Sequence, residues 1–303
     1  MKLCLGIGEM MVELAPSQTP NLLQRGFAGD VFNSLYYARI MMPDDWSVGF
    51  NTGLGTDQLS DDMIDFMASH HISCVNIPRI ENRTAGLYVI QLHDGERSFS
   101  YWRNESAARL MMRDPALLAD KLASAHFIYL SGITLAILSA DDRATLLGLI
   151  KSAKNADKTV FFDSNIRPKL WPNADEMRSA ISEAGGVADI IMPSLDDEKM
   201  AFGDSDDNDV AARYLALGAK AVIVKNSAAS ALLATASGHQ HFAPGPVDSV
   251  IDSTAAGDAF NGAFMARMAA GDNMEDAIKA AHKCAAIVVR HIGALAPKHL
   301  FTF

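Results

Sequence analysis

Cysteine is scarce in this 303-residue chain, which carries three, at positions 4, 74 and 284. They lie far apart and include no Cys-x-x-Cys pair, which argues against both a disulfide framework and a zinc knuckle. Long hydrophobic runs are missing too, since the longest, residues 127–138, is too short and too interrupted to cross a bilayer. Glu9 and Glu13 interrupt the N-terminal apolar segment, which therefore predicts a first strand rather than a signal peptide. Together these absences predict a soluble cytoplasmic protein.

Basic residues are outnumbered, because 26 Lys and Arg stand against 36 Asp and Glu, for a net charge of −10. Binding to nucleic acid or to an anionic membrane depends on clustered Lys and Arg, so we expect neither partner. A small anionic substrate is still compatible with this balance, because a few local arginines suffice to hold it. The 49% of hydrophobic and 20% of charged residues are typical of a globular enzyme with a large core.

The common nucleotide-binding and hydrolase motifs are also missing. No Gly-Lys dipeptide occurs, which excludes a Walker A loop. Gly6-x-Gly8 and Gly53-x-Gly55 lack the third glycine of a dinucleotide fingerprint, so tight turns are the better interpretation. The HExxH, GxSxG and protein-kinase HRD motifs are absent as well. Any nucleotide site must therefore use another arrangement.

From about residue 125 the chain alternates between short β-branched runs and longer polar–apolar stretches. Such alternation is typical of βαβ units and predicts a parallel sheet covered by helices on both faces. The predicted strands are 125–132, 159–165, 189–194 and 220–226, and the predicted helices are 139–156, 173–185 and 206–217.

The first third of the chain follows a different pattern. Helices are expected at about 30–42 and 57–70, and residues 85–103 form a predicted β-hairpin whose turn is Asp94-Gly95. A hairpin does not belong in a parallel core, so it predicts a small β lid. We place the lid in two segments, about 9–27 and 77–103, inserted into a single main domain covering residues 1–303.

Polar residues follow several predicted strands at the point where each strand ends. In an open α/β sheet, ligands bind beyond the carboxyl ends of the strands. Each residue alone is more typical of an ordinary loop, but four at one edge predict a ligand site. They are Asn165, Arg167, Ser194 and Lys225.

The segment 252-DSTAAGD-258 places very small residues before a predicted helix that ends near Gly271. Ala255, Ala256 and Gly257 can contribute only backbone, and free N–H groups at a helix start form an anion site. Asp258, in the first turn, is either a simple capping acid or a base that accepts a hydroxyl proton. The helix start should keep its carboxylate ionised at neutral pH. The pattern favours phosphoryl transfer from ATP to an alcohol.

These segments resemble a known family. DSTAAGDAF is similar to the C-terminal signature DTxGAGDxF of the ribokinase-like, phosphofructokinase-B type sugar kinases, and 28-AGDVFNSLYYAR-39 resembles their sugar-binding motif. Within the family, the ordered segments are most similar to the kinases of the sugar acid 2-keto-3-deoxygluconate. The other supporting segments are 96-ERSFSYWRNESAARL-110, 129-YLSGITLAILS-139, 163-DSNIRPKLW-171 and 195-LDDE-198.

The resemblance implies a three-layer α/β/α fold with a mostly parallel sheet, a β lid over the sugar site, and often dimerisation or higher assembly through that lid. It also implies an ATP-dependent kinase that uses Mg²⁺ and, in some members, a monovalent cation. Asp197 and Glu198 would contact the metal indirectly. For catalysis, the resemblance assigns Asp258 as the base and the segment Ala255, Ala256 and Gly257 as the anion hole. The residues that it assigns to the sugar are Gly29, Asp30, Asn33, Tyr88, Tyr101, Arg103 and Arg167. Those that it assigns to the nucleotide are Asn165, Ser194, Lys225, Gly257 and His282.

The lid sequence bears on the substrate. The period of two along 97–103 places Phe99, Tyr101 and Arg103 on one face, where the arginine could grip a planar carboxylate. Taken alone, Arg103 is more typical of a solvated surface arginine. A neutral-sugar kinase of the fructokinase or ribokinase type, and a non-catalytic sugar- or nucleotide-binding regulator, are the alternatives.

Three departures from the family pattern concern the nucleotide side. The NxxE motif is Ser194-x-x-Asp197 here, the segment 225-KNSAAS-230 lacks the usual glycines, and His282 stands where asparagine is more common. None of them affects Asp258 or the small residues before it.

Overall fold

The computed structural model describes residues 1–17, 19, 21–93, 96–154 and 157–301. The expected Asp94-Gly95 turn lies outside the described residues. Within those ranges, no helix has the length and apolar character needed to cross a membrane.

The elements are numbered here in chain order. The strands are β1 (Lys2–Ile7), β2 (Met11–Pro16), β3 (Leu23–Ala28), β4 (Trp46–Asn51), β5 (Leu54–Gly55), β6 (Ile72–Ser73), β7 (Arg79–Ile80), β8 (Leu87–His93), β9 (Glu96–Trp102), β10 (Phe127–Ser131), β11 (Thr159–Asp163), β12 (Ile190–Ile191), β13 (Ala221–Val224), β14 (Ala231–Thr235) and β15 (Gly238–Phe242). The helices are α1 (Asp30–Met41), α2 (Gln58–Ser69), α3 (Pro115–Ser124), α4 (Gly132–Ile137), α5 (Ala140–Ala153), α6 (Ala174–Val187), α7 (Leu195–Phe202), α8 (Asp207–Ala216), α9 (Ala256–Ala269) and α10 (Met274–Val288).

In the part of the chain that the structure describes, the central sheet has nine strands in the order β15-β14-β13-β12-β11-β10-β1-β4-β6. Its strands pair in parallel except that β14 is antiparallel to both of its neighbours. Successive residues of each inner strand face opposite sides, so Cys4, Tyr129 and Phe161 lie in a core with α1, α2, α9 and α10. Their neighbours Ile128 and Phe162 lie in a second core with α3 to α8. The predicted three-layer α/β/α architecture is confirmed.

The predicted elements of the α/β region are present with shorter strands. Within the predicted strand 189–194 the continuous ladder is limited to Ile190–Ile191, because Pro193 has no backbone N–H to donate, and Ser194 adds one isolated bridge. The apolar run 127–138 is divided between β10 and α4, and Ser131 caps the helix where the strand ends. Two strands that the sequence did not single out, β14 and β15, extend one edge of the sheet.

The two segments assigned to a lid form a separate sheet with the order β3-β2-β8-β9. The predicted hairpin is present, with β8 antiparallel to β9 and Tyr88 opposite Tyr101. The join between the two segments is a parallel pairing of β2 with β8, which places Glu13 beside Tyr88. The cross-strand row Glu13, Tyr88 and Tyr101 therefore presents polar groups on one face of this sheet.

Helices α1 and α9 approach so closely that one position between them has no room for a side chain. A Cβ added to Gly262 would lie 2.2 Å from the carbonyl oxygen of Ser34 and 3.0 Å from the backbone nitrogen of Ala38. This contact brings the first turns of the two helices together, with Asn33 on one and Asp258 on the other.

We expect Gly262→Ala to lower the free energy of unfolding by about 1–3 kcal/mol, because the added methyl group must push two buried backbones apart. Urea denaturation would measure the change. The matched control is Gly148→Ala in α5, where a Cβ meets nothing within 4 Å. Because alanine loses less conformational entropy than glycine when a helix forms, Gly148→Ala should raise the free energy of unfolding by about 0.5–1 kcal/mol. Equal effects of the two substitutions would contradict the close-contact explanation.

Candidate active site

The helices differ in how they begin. Seven of the ten helices of the described chain start with a side chain that accepts a hydrogen bond from a first-turn amide; these caps are Asp57, Asp114, Ser131, Ser139, Asn173, Asp206 and Asn273. Helices α1, α7 and α9 start after Gly29, Ser194 and Ala255 and have no such side-chain bond. An uncapped helix start leaves backbone donors and the positive end of the dipole for a ligand. All three uncapped starts carry residues predicted for the site.

The start of α9 has the features of an anion hole. Ala255 adopts a left-handed conformation, with φ of 59°, and turns the chain into the helix. The amide of Ala256 makes a bond of 3.3 Å to the carbonyl of Ser253, whereas those of Gly257 and Asp258 have no hydrogen-bond partner among the described residues. A Cβ placed on Gly257 would lie 3.6 Å from Nζ of Lys225. Free amides and an ammonium group therefore converge on one small volume.

Asp258 is held against the predicted sugar motif. Its Oδ2 accepts a hydrogen bond of 2.9 Å from Nδ2 of Asn33, whose Oδ1 accepts one of 3.3 Å from the amide of Gly29. Nearby, Oδ2 of Asp30 accepts a 2.7 Å bond from Nδ2 of Asn165. The motif residues and the predicted base thus lie together, although Asn33 and Asp258 are 225 positions apart in the sequence.

The prediction that Asp258 is ionised at neutral pH is wrong. Burial raises the pKa of Asp258 to about 8, and the carboxylates of Asp30 and Asp163 push in the same direction. The hydrogen bond from Asn33 and the charge of Lys225 lower the pKa but do not offset these effects. The sequence argument considered only the helix start and not the acids brought beside it by folding. A carboxyl group with this pKa is matched to general-base chemistry near neutral pH.

Asp163 and Asn261 organise the lysine, and neither was among the predicted site residues. Oδ2 of Asp163 accepts hydrogen bonds from Nζ of Lys225 at 2.8 Å and from Nδ2 of Asn261 at 2.6 Å. Asn261 also accepts from Lys225 at 3.1 Å and donates to the hydroxyl of Tyr129 at 3.1 Å. Two sequence signals were available: Asp163 ends a strand two residues before Asn165, and Asn261 lies one helical turn after Asp258.

The second uncapped helix, α7, is joined directly to the lysine strand. Ser194 forms a parallel β-bridge with Lys225, and the amide of Leu195 donates to the carbonyl of Lys225 at 2.9 Å. In the following loop, Ser227 has a φ of 45°, the left-handed region that favours glycine. Ser227 therefore adopts a glycine-like backbone conformation inside the segment that lacks the family's usual glycines.

Arg167 and Asp197 form a pair at the same edge. Nη1 of Arg167 lies 3.1 Å from Oδ2 of Asp197, and 49% of the arginine side chain is exposed. Burial raises the pKa of Asp197, while Arg167 opposes that shift. The predicted neighbour Glu198 is used elsewhere: its carboxylate is fully buried and accepts bonds from Arg213 and Tyr214. Successive residues on a helix point in different directions, so the carboxylate of Glu198 is directed toward Arg213 and Tyr214 and not toward the same side as Asp197.

His282, predicted for the nucleotide side of the site, packs behind the start of α9. Its ring lies against Phe260 with centroids 5.2 Å apart, and its Nε2 is 3.0 Å from the carbonyl oxygen of Phe242. Burial lowers the pKa of His282, which leaves the imidazole neutral at pH 7. In this structure the residue supports α9 through packing and one backbone contact.

The lid residues form an aromatic cluster around a carboxylate. The hydroxyl of Tyr88 donates to Glu13, and the Tyr88 ring lies 5.8 Å from Tyr101 and 6.1 Å from Phe99. Burial and the Glu13 charge raise the pKa of Tyr88, and the charge of Asp258 contributes in the same direction. Tyr88 therefore lies within electrostatic reach of Asp258, while Tyr101 is 54% exposed.

Arg103 is not a solvated surface residue, and not all of its guanidinium N–H groups are free to bind a ligand. It lies just after β9, its side chain is 9% exposed, and its Nη2 donates to the buried carboxylate of Glu9. Its Nε is buried without a hydrogen-bond partner among the described atoms. The alternation along the strand correctly kept Arg103 on the inner face, but only the structure reveals its anionic partner.

The assembled site can support transfer of a phosphoryl group. A carboxyl group with a raised pKa, open amides and a lysine meet where a hydroxyl and a phosphate could be brought together. Among the described residues no group of three or more His, Cys, Asp or Glu could hold a metal ion by itself. A metal here would therefore need ligands from a bound phosphate as well as from the protein.

Comparison with known proteins gives a consistent result. The chain is 38% identical over 299 residues to 2-dehydro-3-deoxygluconokinase of Escherichia coli strain K12, covering 96% of each chain. It is 37% identical over 298 residues to 2-dehydro-3-deoxygluconokinase of Dickeya dadantii strain 3937, again covering 96% of each. Its fold is similar to the crystal structure of aminoimidazole riboside kinase from Salmonella enterica complexed with aminoimidazole riboside and an ATP analog, with a TM-score of 0.83, 25% identity, and coverage of 99% of this chain and 98% of that one.

The family model described as pfkB family carbohydrate kinase matches residues 1–299, which is nearly the whole chain. The resemblance noticed in DSTAAGDAF and AGDVFNSLYYAR is thereby confirmed, and the protein is a kinase. The chain belongs to the pfkB family of carbohydrate kinases.

Proposed function

We propose that the protein transfers the γ-phosphate of ATP to the 6-hydroxyl of 2-keto-3-deoxygluconate, which is the 2-dehydro-3-deoxygluconokinase reaction. The observation that carries the chemistry is the position of Asp258, between the sugar motif at Asn33 and the open amides of α9. The 38% identity to an enzyme of that name over 96% of each chain supports the substrate.

In the proposed mechanism the sugar lies against Gly29, Asp30 and Asn33, with its 6-hydroxyl directed at Asp258. The ionised carboxylate of Asp258 accepts the hydroxyl proton as the sugar oxygen forms its bond to the γ-phosphorus. The bond between that phosphorus and the bridging oxygen of ADP breaks in the same reaction. The products are ADP and the sugar 6-phosphate, and the proton later leaves Asp258 for solvent.

The amides of Gly257 and Asp258, with Lys225, counter the negative charge that develops on the transferring group. Ala255 and Ala256 keep the approach to these amides open by having short side chains. Asn165, Ser194 and His282 are the remaining residues proposed for the nucleotide side. Because Asn165 donates to Asp30, it would also connect that side to the sugar motif.

Mg²⁺ fits this site only together with the nucleotide. Mg²⁺ commonly takes one or two protein carboxylates plus phosphate oxygens and waters. Asp197, partly buried beside Arg167, is the proposed protein contact, and it would act with the metal held mainly by the phosphates. Dependence on a monovalent cation, a cytoplasmic location, and self-association through the lid stay predictions. Leu22, Leu23 and Trp102 are 58%, 50% and 61% exposed on or beside the lid sheet and would supply apolar surface for such a contact.

A neutral-sugar kinase is the competing function, and one observation favours it. Glu9 already neutralises Arg103, so the lid arginine does not present a free positive charge. Arg167 is likewise paired with Asp197. The acid-sugar proposal therefore depends on the remaining N–H groups of the two arginines. A non-catalytic regulator has less support, because the base and its open amides are both present.

Asp258→Asn should lower kcat by about 10²–10⁴-fold, since the amide cannot accept the proton. Binding of ATP, measured by calorimetry, should change little. Asp276→Asn is the matched control, because Asp276 is also in the first turn of its helix but is exposed and bonded only to local partners. Near-wild-type turnover in Asp258→Asn would overturn the mechanism.

The pH profile of kcat/KM should rise with an apparent pKa near 8, the value for Asp258 in the free protein. The sign follows from the role of a base, which is active only when deprotonated. In Asp30→Asn one neighbouring negative charge is removed, so the rise should move to lower pH. A profile that stays flat from about pH 5 to 9 would contradict the raised pKa, because Asp258 would then be ionised throughout that range.

Arg103→Ala should raise KM for 2-keto-3-deoxygluconate and barely affect a neutral sugar, because only the acid has a carboxylate to lose a charge-assisted contact. The measurement is kcat/KM of both proteins with 2-keto-3-deoxygluconate, its galactonate epimer, fructose and ribose. A wild-type preference for fructose or ribose would replace the proposed substrate with a neutral sugar.

A further inference from the structure

Glu9 lies where three parts of the sugar site meet. It sits between β1 and β2, and the residue is 2% exposed. Its carboxylate accepts a hydrogen bond of 2.6 Å from Oγ of Ser106 and a second from Nη2 of Arg103. Its own backbone carbonyl packs on the sugar motif, since a Cβ added to Gly29 would lie 2.2 Å from that oxygen.

The surroundings of Glu9 leave its carboxylate little freedom. A Cβ added to Gly86 would come within 2.9 Å of Oε1 of Glu9 and within 3.2 Å of Cβ of Arg103. The glycine therefore admits both side chains side by side. With Ser106 on one oxygen and Arg103 on the other, the direction of the carboxylate is set by its partners.

A buried ion pair of this kind is a poor source of stability, because desolvation of two charges offsets most of their attraction. The ion pair matters more for the orientation of the Arg103 guanidinium than for the stability of the fold. A guanidinium group is planar and carries five N–H donors, so binding one end to Glu9 fixes the plane in which the others lie. The buried Nε without a partner shows that the protein does not saturate the group.

We propose that Glu9 is a positioning residue that orients the guanidinium of Arg103 toward the sugar carboxylate and so sets the preference for acidic over neutral sugars. This inference rests on the proposed function, in which Arg103 contacts the substrate acid. Glu9 also balances the charge of Arg103 when no substrate is bound, so the empty site contains no uncompensated buried cation at this point.

The test substitution is Glu9→Gln, which keeps the shape and an acceptor for Ser106 but removes the charge. We expect KM for 2-keto-3-deoxygluconate to rise about tenfold, the size of one lost charge-assisted hydrogen bond. The KM for ATP, kcat with the acid, and kcat/KM with fructose should stay near their wild-type values. A merely structural role for Glu9 would instead change kcat/KM for the acid and for fructose by the same factor.

A double-mutant cycle separates orientation from general disturbance. In an Arg103→Ala background, Glu9→Gln should cause no further change in the acid-to-fructose ratio of kcat/KM, because the group it positions is gone. An additive change in the double variant would overturn the inference. Glu176→Gln is the matched control, since it breaks an Arg–Glu pair with Arg143 between α5 and α6, away from the site, and should leave the ratio unchanged.

The remaining outcomes separate failure of the role of Glu9 from failure of the proposed function. If thermal melting shows that Glu9→Gln does not fold, Ser106→Ala is tested in its place. This change removes one hydrogen-bond partner of Glu9 and should raise KM for the acid by a smaller factor. An unchanged acid-to-fructose ratio of kcat/KM would count against the inference. If wild-type protein prefers fructose, the proposed function fails. If wild-type protein prefers the acid and Glu9→Gln affects both sugars equally, only the role of Glu9 fails.

Discussion

The contact between α1 and α9 is the constraint on which the site depends. Gly262 allows the two backbones to touch at Ser34, and that approach lets Asn33 donate to Asp258. One helix brings the sugar motif, and the other brings the base and the open amides. A larger residue at position 262 would move the sugar-binding residues of α1 away from the base and open amides of α9, even if every catalytic side chain remained. Catalysis by positioning is sensitive to such shifts, because displacements near 1 Å can lower rates substantially.

The site is assembled from elements that are individually less stable than they could be. Its three helices lack the side-chain caps that the others have, and a cap typically contributes about 1 kcal/mol. Ala255 and Ser227 adopt left-handed backbone conformations, which cost about 1–2 kcal/mol for residues other than glycine. Both features keep backbone donors turned toward a ligand. The two buried cores on either side of the sheet carry the stability that these elements give up.

Burial and the balance of nearby charges together explain the raised pKa of Asp258. The charges of Asp30, Asp163 and Lys225 all act on Asp258, and the Lys225 ammonium group is bound directly by Asp163 and Asn261. The lysine is therefore partly committed before any phosphate arrives, and its help to Asp258 is limited. At the lid, Glu9 and Glu13 similarly engage Arg103 and Tyr88. In both places an acidic partner orients a group that the sequence presents as free.

The sequence by itself determined what depends on local pattern. The alternation of β-branched runs and helical stretches determined the three-layer class, the period of two determined the hairpin, and the small residues of DSTAAGD identified a helix start meant for backbone contacts. Only the tertiary structure decided which side chains meet. The partners of Asp258 and Arg103 lie 225 and 94 positions away, and Glu198 turns into the core while its neighbour Asp197 does not. The physical reason is that periodicity reports the direction of a side chain relative to its own element. Its pKa and its hydrogen-bond partners depend on charges and burial that packing brings together from distant parts of the chain.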